Sequence, residues 1–111
     1  MADHHINCLL QKNPNALTVS LAPYRQRVGK PGSNTIVWEA QSDTTFPASD
    51  FFSWKSGGPG YIPTRSTDGK TLTLTYDNTA PATWSYMITL ANDTASVVID
   101  PDIHNDPPPT M

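Results

Sequence analysis

Apolar and polar residues alternate through several short stretches of this chain, and a period of two is the signature of a strand with one buried face. In ALTVSLAPY the apolar positions are Leu17, Val19 and Leu21, and in NTIVWEAQ they are Ile36, Trp38 and Ala40. KTLTLTY turns Leu72, Leu74 and Tyr76 to one side, and TWSYMITL does the same with Trp84, Tyr86, Ile88 and Leu90. Turn chemistry separates these stretches. Gly29 and Pro31-Gly32 mark a polar connection after the first of them. Asp68-Gly69 supplies the positive φ that a type I′ hairpin needs, Asn92-Asp93 turns the chain into ASVVI, and Pro101 ends that last strand. FPASDFFSWKSGGPGYIP is aromatic but broken by Pro47, Gly57, Gly58, Pro59 and Gly60, which predicts a long crossover carrying one short strand around Phe51 to Trp54. Roughly seven short strands at this spacing, with no helix required, predict an all-β antiparallel sandwich, immunoglobulin-like or cupredoxin-like. The expected division is a sandwich over 1–100 and a Pro-rich tail over 101–111.

Composition supports that pattern and narrows the partners. At 111 residues the chain is one domain with room for a single core. Charged residues are only 15%, and prolines number 11, a balance that suits a turn-rich β domain. The net charge is −3, and Lys12, Arg25, Arg27, Lys30, Lys55, Arg65 and Lys70 are scattered rather than clustered. Without a basic patch neither a nucleic acid nor an anionic membrane is an expected partner. The single cysteine, Cys8, excludes an internal disulfide and any multi-cysteine metal site. The opening MADHHINCLL has no basic n-region and only a brief apolar run, so a cytoplasmic location is expected.

The familiar reactive constellations are missing. A blue-copper site needs a Cys, two His and usually a Met converging late in the chain, whereas Cys8 and His4-His5 open it and His104 lies near its other end. His4-His5 reads as a solvated terminus, and no metal or other cofactor is expected. SGGPGY lacks the lysine and hydroxyl of a phosphate cradle, and no Gly-x-Ser-x-Gly turn is present. The sequon Asn92-Asp93-Thr94 has no meaning without secretion. Trp38, Trp54 and Trp84 suggest a sugar platform, but a domain this small needs at least two of them in its core. Phe51, Phe52, Trp54 and Tyr61 form the one stretch aromatic enough for an exposed binding loop toward a protein partner.

The carboxylates are lopsided: nine Asp and one Glu, with Asp93, Asp100, Asp102 and Asp106 in the last nineteen residues. Asp100-Pro101 and Asp106-Pro107 lie six residues apart. An Asp side chain before proline can attack its own main-chain carbonyl and form a five-membered anhydride, with the proline nitrogen leaving once it is protonated. Near neutral pH that needs a second carboxyl group to supply the proton. Glu39 lies opposite Ile36 and Trp38 in the alternation, faces solvent, and is a minor candidate for that donor. Asp-Pro is equally a common turn dipeptide, and Pro-Pro-Pro a stiff extended segment suited to acting as a ligand for another protein.

The strand TIVWEA, the aromatic strand WSYMITL and the ending IDPDIHNDP together resemble the DP-EP family of small bacterial β-sandwich proteins. That family is associated with self-cleavage beside an aspartate near the C-terminus, in an aspartic-peptidase-like reaction. The likeness is best over Thr35 to Ala40 and Thr83 to Pro107, roughly a third of the chain. It implies that the chain's own C-terminal segment is the substrate, that the bond from Asp106 to Pro107 is cut, and that Asp100, Asp102 or Asp93 activates water or donates the proton. Asp100 ranks first, at the exit of the strand holding Val98 and Ile99. One departure matters: the family's late aromatic strand can carry a lysine able to capture the activated aspartate as an isopeptide, whereas the candidate positions here are Ser85 and Met87 and no lysine follows Lys70. Water is then the acceptor, unless Lys55 or Lys70 comes close through the fold.

Overall fold

Two five-stranded sheets face one another in the computed structural model, which describes residues 3–13 and 16–107. The strands are β1 (His4–Asn13), β2 (Ala16–Ala22), β3 (Arg25–Val28), β4 (Gly32–Ala40), β5 (Phe52–Ser56), β6 (Thr64–Arg65), β7 (Thr71–Asn78), β8 (Ala82–Ala91), β9 (Ser96–Ile99) and β10 (Asp102–Asn105). One sheet runs β2-β1-β4-β7-β6; the other runs β3-β10-β8-β5, with β9 also paired to β8. The protein is an all-β sandwich, and the described residues contain no helix. The described residues form ten strands rather than about seven, and both sheets are mixed, because β1 runs parallel to β4 and β10 parallel to β3.

The core follows the alternation. Ile36 and Trp38 from β4, Leu72, Leu74 and Tyr76 from β7, and Tyr86, Ile88 and Leu90 from β8 are all buried. Removing such side chains from water contributes about 1.5–3 kcal/mol each. The Trp38 indole N–H donates to the Tyr86 hydroxyl at 3.0 Å, so the largest buried ring leaves no unpaired donor. Phe52 stacks on Tyr86 with ring centres 4.8 Å apart.

Four expectations need correction. The opening is not a loose terminus: Ile6, Cys8 and Leu10 of β1 are fully buried, His4 bonds Asn34 and Gln26, and His5 pairs with Glu39. In β2 only Leu21 is buried, while Leu17 and Val19 are 45% and 38% exposed. The reason is geometric: β4 flanks β1 only along His4 to Cys8, whereas β2 follows β1 from Asn7 to Asn13, so the hairpin outruns the sandwich. The turn at Asp68-Gly69 has positive φ at Gly69 alone, so it is not type I′; the Ser66 hydroxyl and the Asp68 carboxylate accept the Lys70 N–H instead. Finally, 101–107 is no tail. β10 lies between β3 and β8 with Ile103 fully buried, and Pro101 and Pro107 are buried as well. The rest of the Pro-rich end, 108–111, lies outside the described residues.

Candidate functional site

β10 presents the aspartates, and an extended strand spaces them out. From Asp102 to Asp106 is four residues, about 13 Å along the strand. Asp100 lies before Pro101, beyond the opposite end of β10 from Asp106. Asp93 sits in the turn after Ala91, whereas Asn105 pairs with Ala82 at the other end of β8, roughly 30 Å away along the strand. The structure therefore brings none of Asp93, Asp100 and Asp102 to Asp106.

Asp100 and Asp102 each have another occupation. Arg25 grips Asp102 with two hydrogen bonds, at 2.7 and 3.1 Å, across the parallel register of β3 and β10. Lys55 reaches Asp100 at 3.1 Å, and the Tyr24 hydroxyl donates to the Asp100 carbonyl at 3.0 Å. The Lys55 ammonium holds the Asp100 carboxyl below its ordinary value, the opposite of what a proton donor needs. Asp93 is exposed beside Asn92, whose side-chain oxygen accepts the N–H groups of Thr94 and Ala95. Lys70 donates to the carbonyls of Ser42 and Thr44, at 2.6 and 2.8 Å. With Lys55 on Asp100, neither candidate lysine is directed at Asp106. Burial pushes the Cys8 thiol up to about 12, which leaves it un-ionised and unreactive.

Asp106 is anchored by its backbone. Its N–H donates to the Val28 carbonyl at 2.9 Å, its side chain is exposed, and Pro107 is buried. Beneath it lies a buried amide cluster. Asn78 donates to the carbonyls of Val28 and Lys30, and Tyr76 donates to Asn105 at 2.6 Å. Asn78 Oδ1 and Asn105 Nδ2 have no hydrogen-bond partner among the described residues.

The aromatic segment is divided. Phe52 is 6% exposed and belongs to the core, and Phe51 and Trp54 pack against that core, which corrects their assignment to an exposed loop. Trp38 is fully buried, and Trp54 and Trp84 meet edge to face at 5.7 Å, so the three tryptophans form no open platform. Tyr61 is 51% exposed, and Ile62 beside it is 47% exposed.

What holds Tyr61 out is the Gly-rich approach to it. A Cβ on Gly57 would fall 2.3 Å from the Trp84 ring and one on Gly58 2.6 Å from the Trp54 ring, and both glycines have positive φ. Only glycine lets the backbone lie flat on the two indoles. The Trp54 N–H then donates to the Tyr61 carbonyl at 2.8 Å, and the Tyr61 hydroxyl donates to the Thr75 carbonyl at 2.7 Å. β6 covers β7 only at Leu72 and Thr73, so past that point β7 has no strand neighbour on this side among the described residues. The result is a notch of about 430 Å³ lined by Tyr61, Ile62, Thr64, Thr73, Leu74 and Thr75. It carries no charge, one aromatic ring, aliphatic walls, three threonine hydroxyls and an open strand edge. Among the described residues no group of three or more His, Cys, Asp or Glu is assembled to hold a metal.

No protein-family model matches the chain, and no curated protein matches it significantly.

Proposed function

We propose that this protein is a non-catalytic protein-binding sandwich whose notch beside β7 takes an extended, uncharged peptide segment. The observation that carries this reading is the coincidence of a β7 edge, Leu74 to Asn78, that no strand covers among the described residues and that the Tyr61 hydroxyl touches at the Thr75 carbonyl, with exposed Tyr61 and Ile62. A strand edge offers main-chain hydrogen bonds to any extended sequence, and an adjoining apolar recess selects one side chain from it. The notch size lies within the range of pockets that accept a side chain or a small ligand. Its lack of charge favours an aliphatic or small aromatic side chain over an acidic or basic one.

The test is selection of peptides from a random library on the immobilised protein, followed by titration of the selected peptide. Tyr61→Ala should weaken the selected peptide about tenfold, the scale of losing one aromatic anchor. Selected peptides that bind Tyr61→Ala as well as wild type would show that the contact lies elsewhere.

A second reading, self-cleavage between Asp106 and Pro107 as the DP-EP resemblance implies, has one specific support. The backbone on both sides of that bond is held, by the Val28 carbonyl and by burial of Pro107, while the Asp106 carboxyl remains in solvent. With the other aspartates distant, the attacking group and the proton source are Asp106 itself and solvent, so the reaction on this reading is slow and favoured by acid. Intact mass under denaturing conditions, after incubation from acidic to neutral pH, reads it directly: loss of the last five residues in wild type and not in Asp106→Ala.

A further inference from the structure

β2 reads Ala16-Leu17-Thr18-Val19-Ser20-Leu21-Ala22, which is the same pattern forwards and backwards about Val19, apart from the exchange of Thr18 for Ser20. It is the outer strand of its sheet, paired to β1 on one side and to nothing among the described residues on the other. Exposed edge strands in natural proteins are usually protected by charge, proline or a bulge. β2 has no charged residue and no proline, and its pairing to β1 runs in unbroken register from Ala16 to Ala22.

We infer that β2 pairs antiparallel with β2 of a second copy of this chain about a two-fold axis at Val19, joining two five-stranded sheets into one. Antiparallel pairing about that axis places Ala16 opposite Ala22, Leu17 opposite Leu21, Thr18 opposite Ser20 and Val19 opposite itself. Every position meets a chemically matching one, the condition for a self-complementary interface. Both kinds of antiparallel residue pair, hydrogen-bonded and not, are themselves two-fold symmetric, so a strand can meet its own copy at one residue. The occupant also accounts for the exposed side chains. Leu17, Val19 and Leu21 share one face, and Leu21 is already at the sandwich edge at 8% exposure. In the pair, the 45%-exposed Leu17 of each copy lies against Leu21 of the other, and the two Val19 side chains meet at the axis. A foreign strand would supply the backbone bonds, but only a second copy supplies Leu, Val and Leu at these positions by symmetry.

Sedimentation equilibrium of wild type, from micromolar to millimolar protein, should show a reversible monomer–dimer equilibrium. Val19→Lys and Val19→Glu each set like charges opposite one another and should weaken the dimer about tenfold, while an equimolar mixture of the two should restore it. Amide exchange of wild type supplies a readout independent of substitution: protection at Thr18 to Ser20 should rise with protein concentration while that of β7 stays constant. Wild type that stays monomeric throughout, a dimer indifferent to Val19→Lys, a mixture that fails to reassociate while each variant keeps the near-ultraviolet signal of its buried aromatics, or concentration-independent β2 exchange would each overturn the inference.

Discussion

β10 and the open edge of β7 are both short runs of strand flanked by chemically capable side chains, yet they stand in opposite states. Along β10 two carboxyl groups and an anchoring amide are spoken for, while Asn105 Nδ2 has no partner among the described residues: Arg25 holds Asp102, Lys55 and Tyr24 hold Asp100, and the Asp106 N–H is bound to Val28. Along β7 past Thr73, no strand among the described residues lies on the side away from β4, and Tyr61 and Ile62 project there with apolar surface in water. A reactive residue type inside a completed sheet works as a fastener. An ordinary Tyr-Ile pair at an incomplete edge keeps apolar surface in water for something else to cover, even with the Tyr61 hydroxyl bound to Thr75.

The sharpest way to break this comparison is to cut into β10. Ile103→Ala should lower unfolding free energy by about 2–5 kcal/mol in denaturant titration, because it empties a fully buried site; a dispensable tail would show almost no change. Next comes Gly58→Ala, which adds backbone strain at a φ of 94° and a collision with Trp54. It should cost about 1–3 kcal/mol and disturb peptide binding together with the fold. Tyr61→Ala separates the two regions most cleanly: stability should fall by about 1 kcal/mol or less, since the ring is half exposed and donates one hydrogen bond. Binding at the notch should fall about tenfold.

Smaller effects are expected from the charges. Asp102→Asn weakens an ion pair whose arginine side chain is 54% exposed, and it should cost about 0.5–1 kcal/mol. Acid gives a related signal. Asp3, Asp68 and Asp100 all have carboxyl groups lowered from an ordinary 3.8, by the Thr35 N–H, the Ser66 hydroxyl and the Lys55 ammonium respectively. A group lowered on folding stabilises above its unfolded value and loses that contribution as pH falls through its folded value. Stability should therefore be flat from about pH 5 to about pH 8 and decline below about pH 4, as followed by thermal unfolding across that range.

The two regions also differ in how far the sequence disclosed them. β4, β7 and β8 were legible because their buried positions are apolar at every second residue, as in Leu72, Leu74 and Tyr76. β10 has the same period two, but its buried series is Pro101, Ile103, Asn105 and Pro107, and three of those four types normally argue against a core strand. β1 carried a readable series, Ile6, Cys8 and Leu10, masked by the histidines before it and by Asn7 and Leu9 within it. The parallel pairings of β1 with β4 and of β10 with β3 leave no local mark, since no tight turn joins the partners. The aspartates looked like a cluster because they are close in sequence, and an extended strand undoes such closeness at about 3.3 Å per residue. Their tethers, Lys55, Arg25 and Tyr24, come from segments distant in sequence and carried no signal. The notch was half visible: Tyr61 stood out in a Gly- and Pro-rich loop, but Thr64, Thr73 and Thr75 join it only because β6 stops two residues after it starts.

On the proposed reading, the open edge of β7, rather than the aspartates of β10, is where this protein meets its partner. Amide chemical-shift mapping of the labelled wild type with a selected peptide tests it most directly. The account predicts saturating shifts confined to Tyr61 to Thr64 and Thr73 to Asp77, with the amides of β10 unmoved. Shifts centred on Asp100 to Asp106, with the β7 edge silent, would contradict it.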